Sequence, residues 1–329
     1  MEHLIDGHCH YTGSLSDKFF QSKKNIPRNV LHLTSKNDWV ENYEKYFEIY
    51  KKRQELCRYS IQEMAKESYR LGAIDIASGY FREGVDQFQL RIGPKSSIVE
   101  TKNRLDSMNK GFETVEKKYK LNNFAKIILT FIQDKNGYFV NYCDEVLDYI
   151  FKQIYDKRDL TQRVIGFDFS GPENSRNWVA IQSVIRKINK FNYTLNTKKG
   201  IRLETMVHAG EFVDAEKYEE TIEQIKNLIS LKINRISHGT ILWIPAVYIN
   251  KEEKEKIDIK QIEMLKLISK NKIILEICPS ANFLISPLES INQIPLAKFS
   301  NLGVNFTINT DSKGIYKTTL KKEYSLLSK

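Results

Sequence analysis

The sequence predicts an α/β protein: a single parallel (β/α)8 TIM barrel spanning residues 1–329. Three observations predict it. Short apolar, β-branched runs recur along the chain, and each reads as a parallel strand buried on both faces. Helical stretches separate them, in the alternation that a parallel sheet with crossover helices requires. Several runs end in an ionisable residue, at the strand end where barrels of this kind carry their chemistry.

The first strand is Leu4 to Cys9. A long polar and aromatic helical region follows, about Asn37 to Arg82, with breaks expected near Gly72 and Gly79. The second strand, Phe88 to Ile92, ends at Gly93-Pro94. Glu100 to Lys120 reads as a helix, Ala125 to Ile132 as the third strand, and Glu145 to Arg158 as a helix. Arg163 to Phe169 is the fourth strand and runs into Ser170-Gly171-Pro172-Glu173. Trp178 to Lys190 is helical. Strands five to eight are Leu203 to Val207, Ile233 to Ile236, Ile273 to Ile277 and Val304 to Ile308. Helices near Glu219 to Ser230 and Ile259 to Lys270 lie between them. No linker-like or low-complexity tract interrupts the series, and a barrel of this length is a single domain.

Composition narrows the class. The chain is 41% hydrophobic, enough for one large core, and no apolar run is long enough to span a membrane. Glu2 and Asp6 stand where a signal peptide would carry its basic residues, so none is expected. The four cysteines lack C-x-x-C spacing, which suits a reducing compartment and a cytoplasmic location. Cys9 and Cys278 adjoin the candidate site and read as small buried hydrophobes. The net charge is +10, from 51 Lys and Arg against 41 Asp and Glu. Such a balance suits nucleic acid, anionic membrane or a phosphorylated substrate. The lysines are spread along helices without a basic tail or aromatic-interleaved stripe, so the sequence offers no evidence for nucleic acid or membrane.

The candidate site begins with His8 and His10. Two histidines at i and i+2 on a strand face the same side, and two imidazoles in one cavity make half of a zinc site. Four islands follow: His208-Ala-Gly-Glu211, Ser-His238-Gly, Glu276-Ile-Cys-Pro-Ser and Asn-Thr-Asp311-Ser. Each sits at the C-terminal end of a predicted strand. Ordinary polar residues at strand ends would have to coincide five times in one ring to produce this pattern. Of the six histidines, only His3 and His32 fall outside it, and they read as ordinary surface or core residues.

These motifs, with His8-Cys-His10-Tyr-Thr-Gly-Ser and Gly-Phe-Asp168-Phe-Ser-Gly171, resemble in order and spacing the adenosine deaminase family of zinc hydrolases. That family lies within the metal-dependent amidohydrolase superfamily. The zinc deaminases that act on nucleic acids carry His-x-Glu with Pro-Cys-x-x-Cys instead, which this chain lacks. The resemblance implies a barrel of the metal-dependent hydrolase type, one Zn2+ per chain, and hydrolytic loss of the 6-amino group of an adenine nucleoside or its 5′-phosphate. It implies that His8, His10, His208 and Asp311 bind the metal, with His10 also facing substrate. Glu211 would be the proton shuttle, His238 an electrostatic partner of the attacking water, and Gly171 a backbone contact to the purine edge. Glu276 would orient a site imidazole.

Two departures bear on substrate. Nucleoside-specific relatives usually carry Asp at the position of Thr12, where it binds the sugar 5′-hydroxyl. A carboxylate there would repel a 5′-phosphate, whereas a hydroxyl can donate to it. Beside the basic balance this tilts the reading towards a nucleotide, against drift to an uncharged residue. The family commonly has a second Asp after the metal Asp; here it is Ser312, whose hydroxyl can still donate to purine N7. The family also continues for a helix or more beyond strand eight, so a shortened C-terminus is expected. That predicts an open side, or one covered by a homo-oligomeric or other partner subunit. Two other readings stand beside the deaminase: a related amidohydrolase acting on another ring, and a non-catalytic scaffold or nucleotide-signal binder.

Overall fold

The alternation of apolar runs and helices resolves into eight parallel strands, hydrogen-bonded in chain order. The computed structural model describes residues 3–21, 31–59, 62–95, 97–132, 139–156, 163–173 and 176–328. The strands are β1 (Ile5–His10), β2 (Gln87–Ile92), β3 (Ala125–Ile132), β4 (Val164–Ser170), β5 (Glu204–Ala209), β6 (Arg235–His238), β7 (Ile274–Ile277) and β8 (Asn305–Ile308). Helices α1 (Tyr11–Ser14), α2 (Asp17–Gln21), α3 (Trp39–Leu56) and α4 (Gln62–Glu83) fill the first crossover. The helices α5 (Ile98–Tyr119), α6 (Phe139–Tyr155), α7 (Trp178–Lys199), α8 (Tyr218–Ser230) and α9 (Lys254–Lys270) each carry a later one. Between β7 and β8 lie α10 (Pro279–Leu284) and α11 (Leu296–Asn301); α12 (Lys313–Tyr316) and α13 (Leu320–Leu326) follow β8.

Every predicted strand is present, with ends shifted by a residue or two. The first helical region differs. Its break falls between Leu56 and Gln62, and α4 runs unbroken through Gly72 and Gly79. Gly72 serves packing instead: a Cβ there would lie 2.1 Å from the Tyr11 hydroxyl of α1. A helical glycine costs roughly 1 kcal/mol relative to alanine, and here it allows the close approach. The predicted helix at Trp178 extends further than expected, to Lys199, where Gly200 at φ +65° caps it. Arg158, the predicted end of α6, lies outside the described residues.

Strand parity sorts the core. Phe88, Leu90 and Ile92 are buried on the outer face of β2 among helix residues such as Phe112. The alternate positions, Gln89 and Arg91, turn into the barrel, where Arg91 and Arg235 meet Asp168 and Glu276. The seam between β8 and β1 is closed differently from the other seven. Only one isolated bridge, Cys9 with Asp311, joins the two strands, through His10 N to Asp311 O and Asp311 N to His8 O, each 2.8 Å. Side chains supply the rest. Asn309 Oδ1 accepts from Gly7 N at 2.9 Å, and Asp6 Oδ2 accepts from the Thr310 and Tyr80 hydroxyls at 2.6 and 2.7 Å. Beyond β8, Leu320 of α13 is buried, and Glu323 accepts from Ser280 N at 2.8 Å. The side expected to be open or partner-covered therefore carries a helix of this chain.

Candidate active site

A bulge prepares the first two site residues. β1 pairs with β2 at Asp6–Phe88 and next at Cys9–Leu90, so β1 carries one extra residue. Gly7 and His8, though adjacent, both face the interior. A Cβ on Gly7 would meet Asn309 Oδ1 at 3.1 Å and Arg235 Nη1 at 3.2 Å. His10 regains the inward side two residues on. His8 Nε2 lies 3.2 Å from His10 Nε2, which lies 3.3 Å from His208 Nε2 at the end of β5. Asp311 Oδ1, just past β8, is 3.5 Å from His10 Nε2 and 3.9 Å from His8 Nε2.

Acids behind the rings orient them. Asp168 Oδ1 lies 3.1 Å from His208 Nδ1, so that nitrogen donates and Nε2 keeps its lone pair for the cavity. Glu276 Oε2 lies 3.1 Å from His8 Nδ1, close but off the hydrogen-bond axis. Arg91 ties the two acids together, giving Nε to Asp168 at 3.2 Å and Nη2 to Glu276 at 2.5 Å. Burial pushes both carboxyls up. In Glu276 the Arg91 and Arg235 charges outweigh burial and hold it below the usual range, while Asp168 stays above. Burial holds His8, His10 and His208 well below their usual pKa. Three neutral imidazoles with facing lone pairs repel one another unless a cation sits among them. Imidazole and carboxylate donors suit zinc, so these four residues fit a metal.

Glu211 and His238 form the other half. His238 Nδ1 is 3.3 Å from the Asn282 amide, which donates to it, so the ring proton sits on Nε2, 3.4 Å from Glu211 Oε1. Burial raises Glu211 well above the usual carboxylate range, and Asp311 adds to this. Both effects favour its protonated form. Simple strand alternation would put His238 outside the barrel beside Ser237; a left-handed backbone, φ +65°, turns it in. Asp311 is left-handed as well, at φ +55°. Both are uncommon for residues other than glycine, and such conformations cluster at functional sites.

The cavity over these groups measures about 560 Å³ and is lined by His10, Gly171, His208, Glu211 and Asp311. It also exposes Tyr46 and Tyr50 of α3. Two expectations change. Thr12 is buried and lines an adjoining cavity rather than this one. Ser312 Oγ lies under Tyr46, 2.9 Å from its hydroxyl, and donates to Asp311 Oδ1 at 3.2 Å. The Tyr46 phenol, not the serine, faces the cavity. Gly13 makes this packing possible, since a Cβ there would lie 2.2 Å from Ser312 Oγ.

Four supports were not anticipated. Arg91 and Asp168 were visible as polar residues at inward positions of apolar strands. Glu173 accepts from the backbone N–H groups of Gly210, Glu211 and Phe212, which fixes the loop that presents Glu211. Arg176 donates to the carbonyls of His208 and Gly171. For these last two the only sequence signal was their place after the Gly171 turn.

A parallel barrel with a histidine-rich cluster that fits a metal at its strand ends has the architecture of the metal-dependent hydrolases. The comparisons give the family. Residues 4–329 match the adenosine deaminase family. The chain is 24% identical to an adenosine deaminase of Streptococcus agalactiae serotype Ia, across 97% of this chain and 82% of that protein. An adenosine deaminase of Plasmodium gallinaceum is 31% identical over 36% of this chain and 35% of its own. Among solved structures, Arabidopsis ADAL complexed with IMP shares the fold, with TM-score 0.69 and 18% identity over 99% of this chain and 87% of that one. The N6-methyl-AMP deaminase of Arabidopsis thaliana gives TM-score 0.66 and 17% identity over 99% and 87%. This chain belongs to the adenosine deaminase family and is a deaminase-type hydrolase. Among the described residues, no helix is long and apolar enough to cross a membrane.

Proposed function

We propose that the chain hydrolyses the 6-amino group of an adenine nucleoside 5′-monophosphate, releasing ammonia and leaving a 6-oxo purine. The observation that carries this reading is the meeting of the His8, His10 and His208 ring nitrogens and Asp311 beside Glu211, whose carboxyl burial holds well above its usual range. His8, His10, His208 and Asp311 would hold one Zn2+. When bound, such an ion supplies Lewis acidity that takes the pKa of water from about 15.7 to about 7.

The remaining work falls to side chains. Glu211 gives its proton to purine N1, which draws electrons from C6 and opens that carbon to water. His238 Nε2–H donates to the incoming water oxygen. Gly171 meets the purine edge through its backbone, and the Tyr46 phenol faces the same cavity. The C6–N bond then breaks: of the water's two protons one returns to the Glu211 carboxylate and the other passes to the amino nitrogen, which leaves as ammonia, and the water oxygen stays on C6. General acid help of this kind contributes typically ~10²–10⁴-fold.

The 5′-phosphate rests on Thr12, which offers a hydroxyl and no carboxylate. The complex of Arabidopsis ADAL with IMP and the Arabidopsis N6-methyl-AMP deaminase support a nucleotide. The nucleoside is the second reading, favoured by relatives named adenosine deaminase. The four free cysteines suit work in the cytoplasm.

Metal analysis of the purified protein, and absorbance assays on adenine, adenosine, deoxyadenosine and their mono-, di- and triphosphates, test the proposal. One zinc per chain and a higher kcat/KM for AMP or dAMP than for the nucleoside are expected. Full activity after chelation refutes the metal; preference for the nucleoside refutes the phosphate.

A further inference from the structure

We propose that Arg104 reads the 5′-phosphate of the substrate, inside a cationic side cavity behind Thr12; this rests on the nucleotide reading above. The side cavity measures about 230 Å³ and shares Tyr50, Gln54, Arg58 and Ile132 with the active-site cavity, so the two adjoin. Thr12, at the position that the family resemblance gives to the sugar 5′ end, lies on its wall. A group attached to the 5′ oxygen therefore points into it. Liquid water occupies about 30 Å³ per molecule, so a phosphate fits with several waters.

Its lining chemistry selects an anion. Arg58, Arg91, Lys95 and Arg104 line it, and no Asp or Glu does among the described residues. Arg91 is already matched by Asp168 and Glu276. Arg104 is not matched. It is only 8% exposed, and among the described residues no carboxylate lies within ion-pair distance of it. Among the described residues it donates one bond, from Nη1 to Gly93 O, and its buried Nε has no partner. Arg53, Arg176 and Arg235 share the orphaned Nε, but each makes more bonds through its other nitrogens. Arg235 meets Glu276 and Glu204, while Arg53 and Arg176 each give two nitrogens to backbone carbonyls.

A buried cation without an acid is costly unless something else holds it. Here two aromatic faces do. The Arg104 guanidinium lies 5.0 Å from the Tyr11 ring centre and 5.1 Å from that of Tyr69, and Lys95 Nζ lies 5.4 Å over the same Tyr69 ring. Cation–π contact keeps the guanidinium in place without a carboxylate that would compete with the ligand. Its planar fork matches two phosphate oxygens, which a lysine cannot do. Lys95 and the exposed Arg58 add charge at the mouth.

The test compares kcat/KM for AMP with kcat/KM for adenosine in the unsubstituted enzyme and in Arg104→Gln, Arg104→Lys and Lys95→Gln. The AMP-to-adenosine ratio is expected to fall about 30-fold or more in Arg104→Gln, chiefly through KM, as loss of a buried charge contact does. Arg104→Lys recovers part of it, and Lys95→Gln lowers the ratio less. Inorganic phosphate should compete with AMP in the unsubstituted enzyme and lose potency in both Gln variants. If Arg104→Gln does not fold, Lys95→Gln decides: an unchanged ratio and unchanged inhibition by phosphate overturn the cavity as the phosphate site. If the unsubstituted enzyme prefers adenosine, the nucleotide reading fails and takes this one with it. If it prefers AMP and Arg104→Gln leaves the ratio unmoved, only the assignment of Arg104 fails.

Discussion

Asp168→Asn is the sharpest probe of how the site is built. The Asp168 carboxylate accepts from three donors: His208 Nδ1 at 3.1 Å, Arg91 Nε at 3.2 Å and the Thr130 hydroxyl at 3.3 Å. Asparagine has one acceptor oxygen and one donating NH2. If the oxygen faces His208, the NH2 meets the Arg91 and Thr130 donors. If it flips, the NH2 forces His208 Nδ1 to accept, which moves the ring proton to Nε2 and removes the lone pair from the metal cluster. Either arrangement costs. Loss of such an orienting partner typically weakens metal binding ~10- to 100-fold, about 1.4 to 2.7 kcal/mol. The mismatched buried donor lowers the stability of the metal-stripped protein by about 1–3 kcal/mol. Competition for zinc against a chelating dye measures the first quantity, and urea unfolding of the stripped protein the second. A folded Asp168→Asn protein that binds zinc within about twofold of its parent would refute the orienting role.

Glu211→Gln keeps the shape of the side chain but cannot pass a proton; turnover should fall at least about a hundredfold with the metal retained, as steady-state rates beside metal analysis would show. Burial pushes Asp311 up to about 7, so the folded chain holds this proton more tightly than the unfolded chain does. With metal chelated, its contribution to stability is therefore lost as pH rises from about 4 to about 7, at no more than about 1.4 kcal/mol per pH unit. Asp311→Asn has no such proton, and its urea midpoint should gain on the parent's across that window; a difference that ignores pH contradicts the assignment. Gly13→Ala should cost about 1–3 kcal/mol by overpacking, seen as a lower Tm. Adding Ser312→Ala should not rescue it, because the Ser312 Cβ is itself 2.5 Å from the added methyl.

The strands were legible because a parallel strand with helices outside needs runs of apolar residues, as Ile127 to Leu129 show. The histidines and Asp311 of the candidate metal site were legible because strand ends place them in one ring. What escaped depends on backbone detail. The bulge between Asp6 and Cys9 leaves no mark in composition, and the left-handed turn at His238 reverses the side that alternation would assign. The Ser312 hydroxyl is engaged by Tyr46, 266 positions earlier, so its direction could not be read from neighbours. The helices α10 to α13 are too short for periodicity to register. Arg91 did carry a signal: an arginine on the inward face of a buried strand needs acids, and Asp168 and Glu276 are the ones in reach.

The β8–β1 seam also fixes when this enzyme can exist. Asp6 and Thr310, joined across it, are 304 positions apart. The cluster draws His8 and His10 from one rim of the seam and Asp311 from the other. A growing chain has all three imidazoles well before it has the carboxylate or the strand that closes the ring. Closing so long a loop is not itself prohibitive, because each doubling of length adds only about 0.6 kcal/mol. Completion is the decisive event: a fragment ending before Thr310 keeps the rim that carries His8 and His10 but lacks Asp311 and the Thr310 contact that closes the seam, so shortening the chain from that end should abolish activity in a single step rather than by degrees.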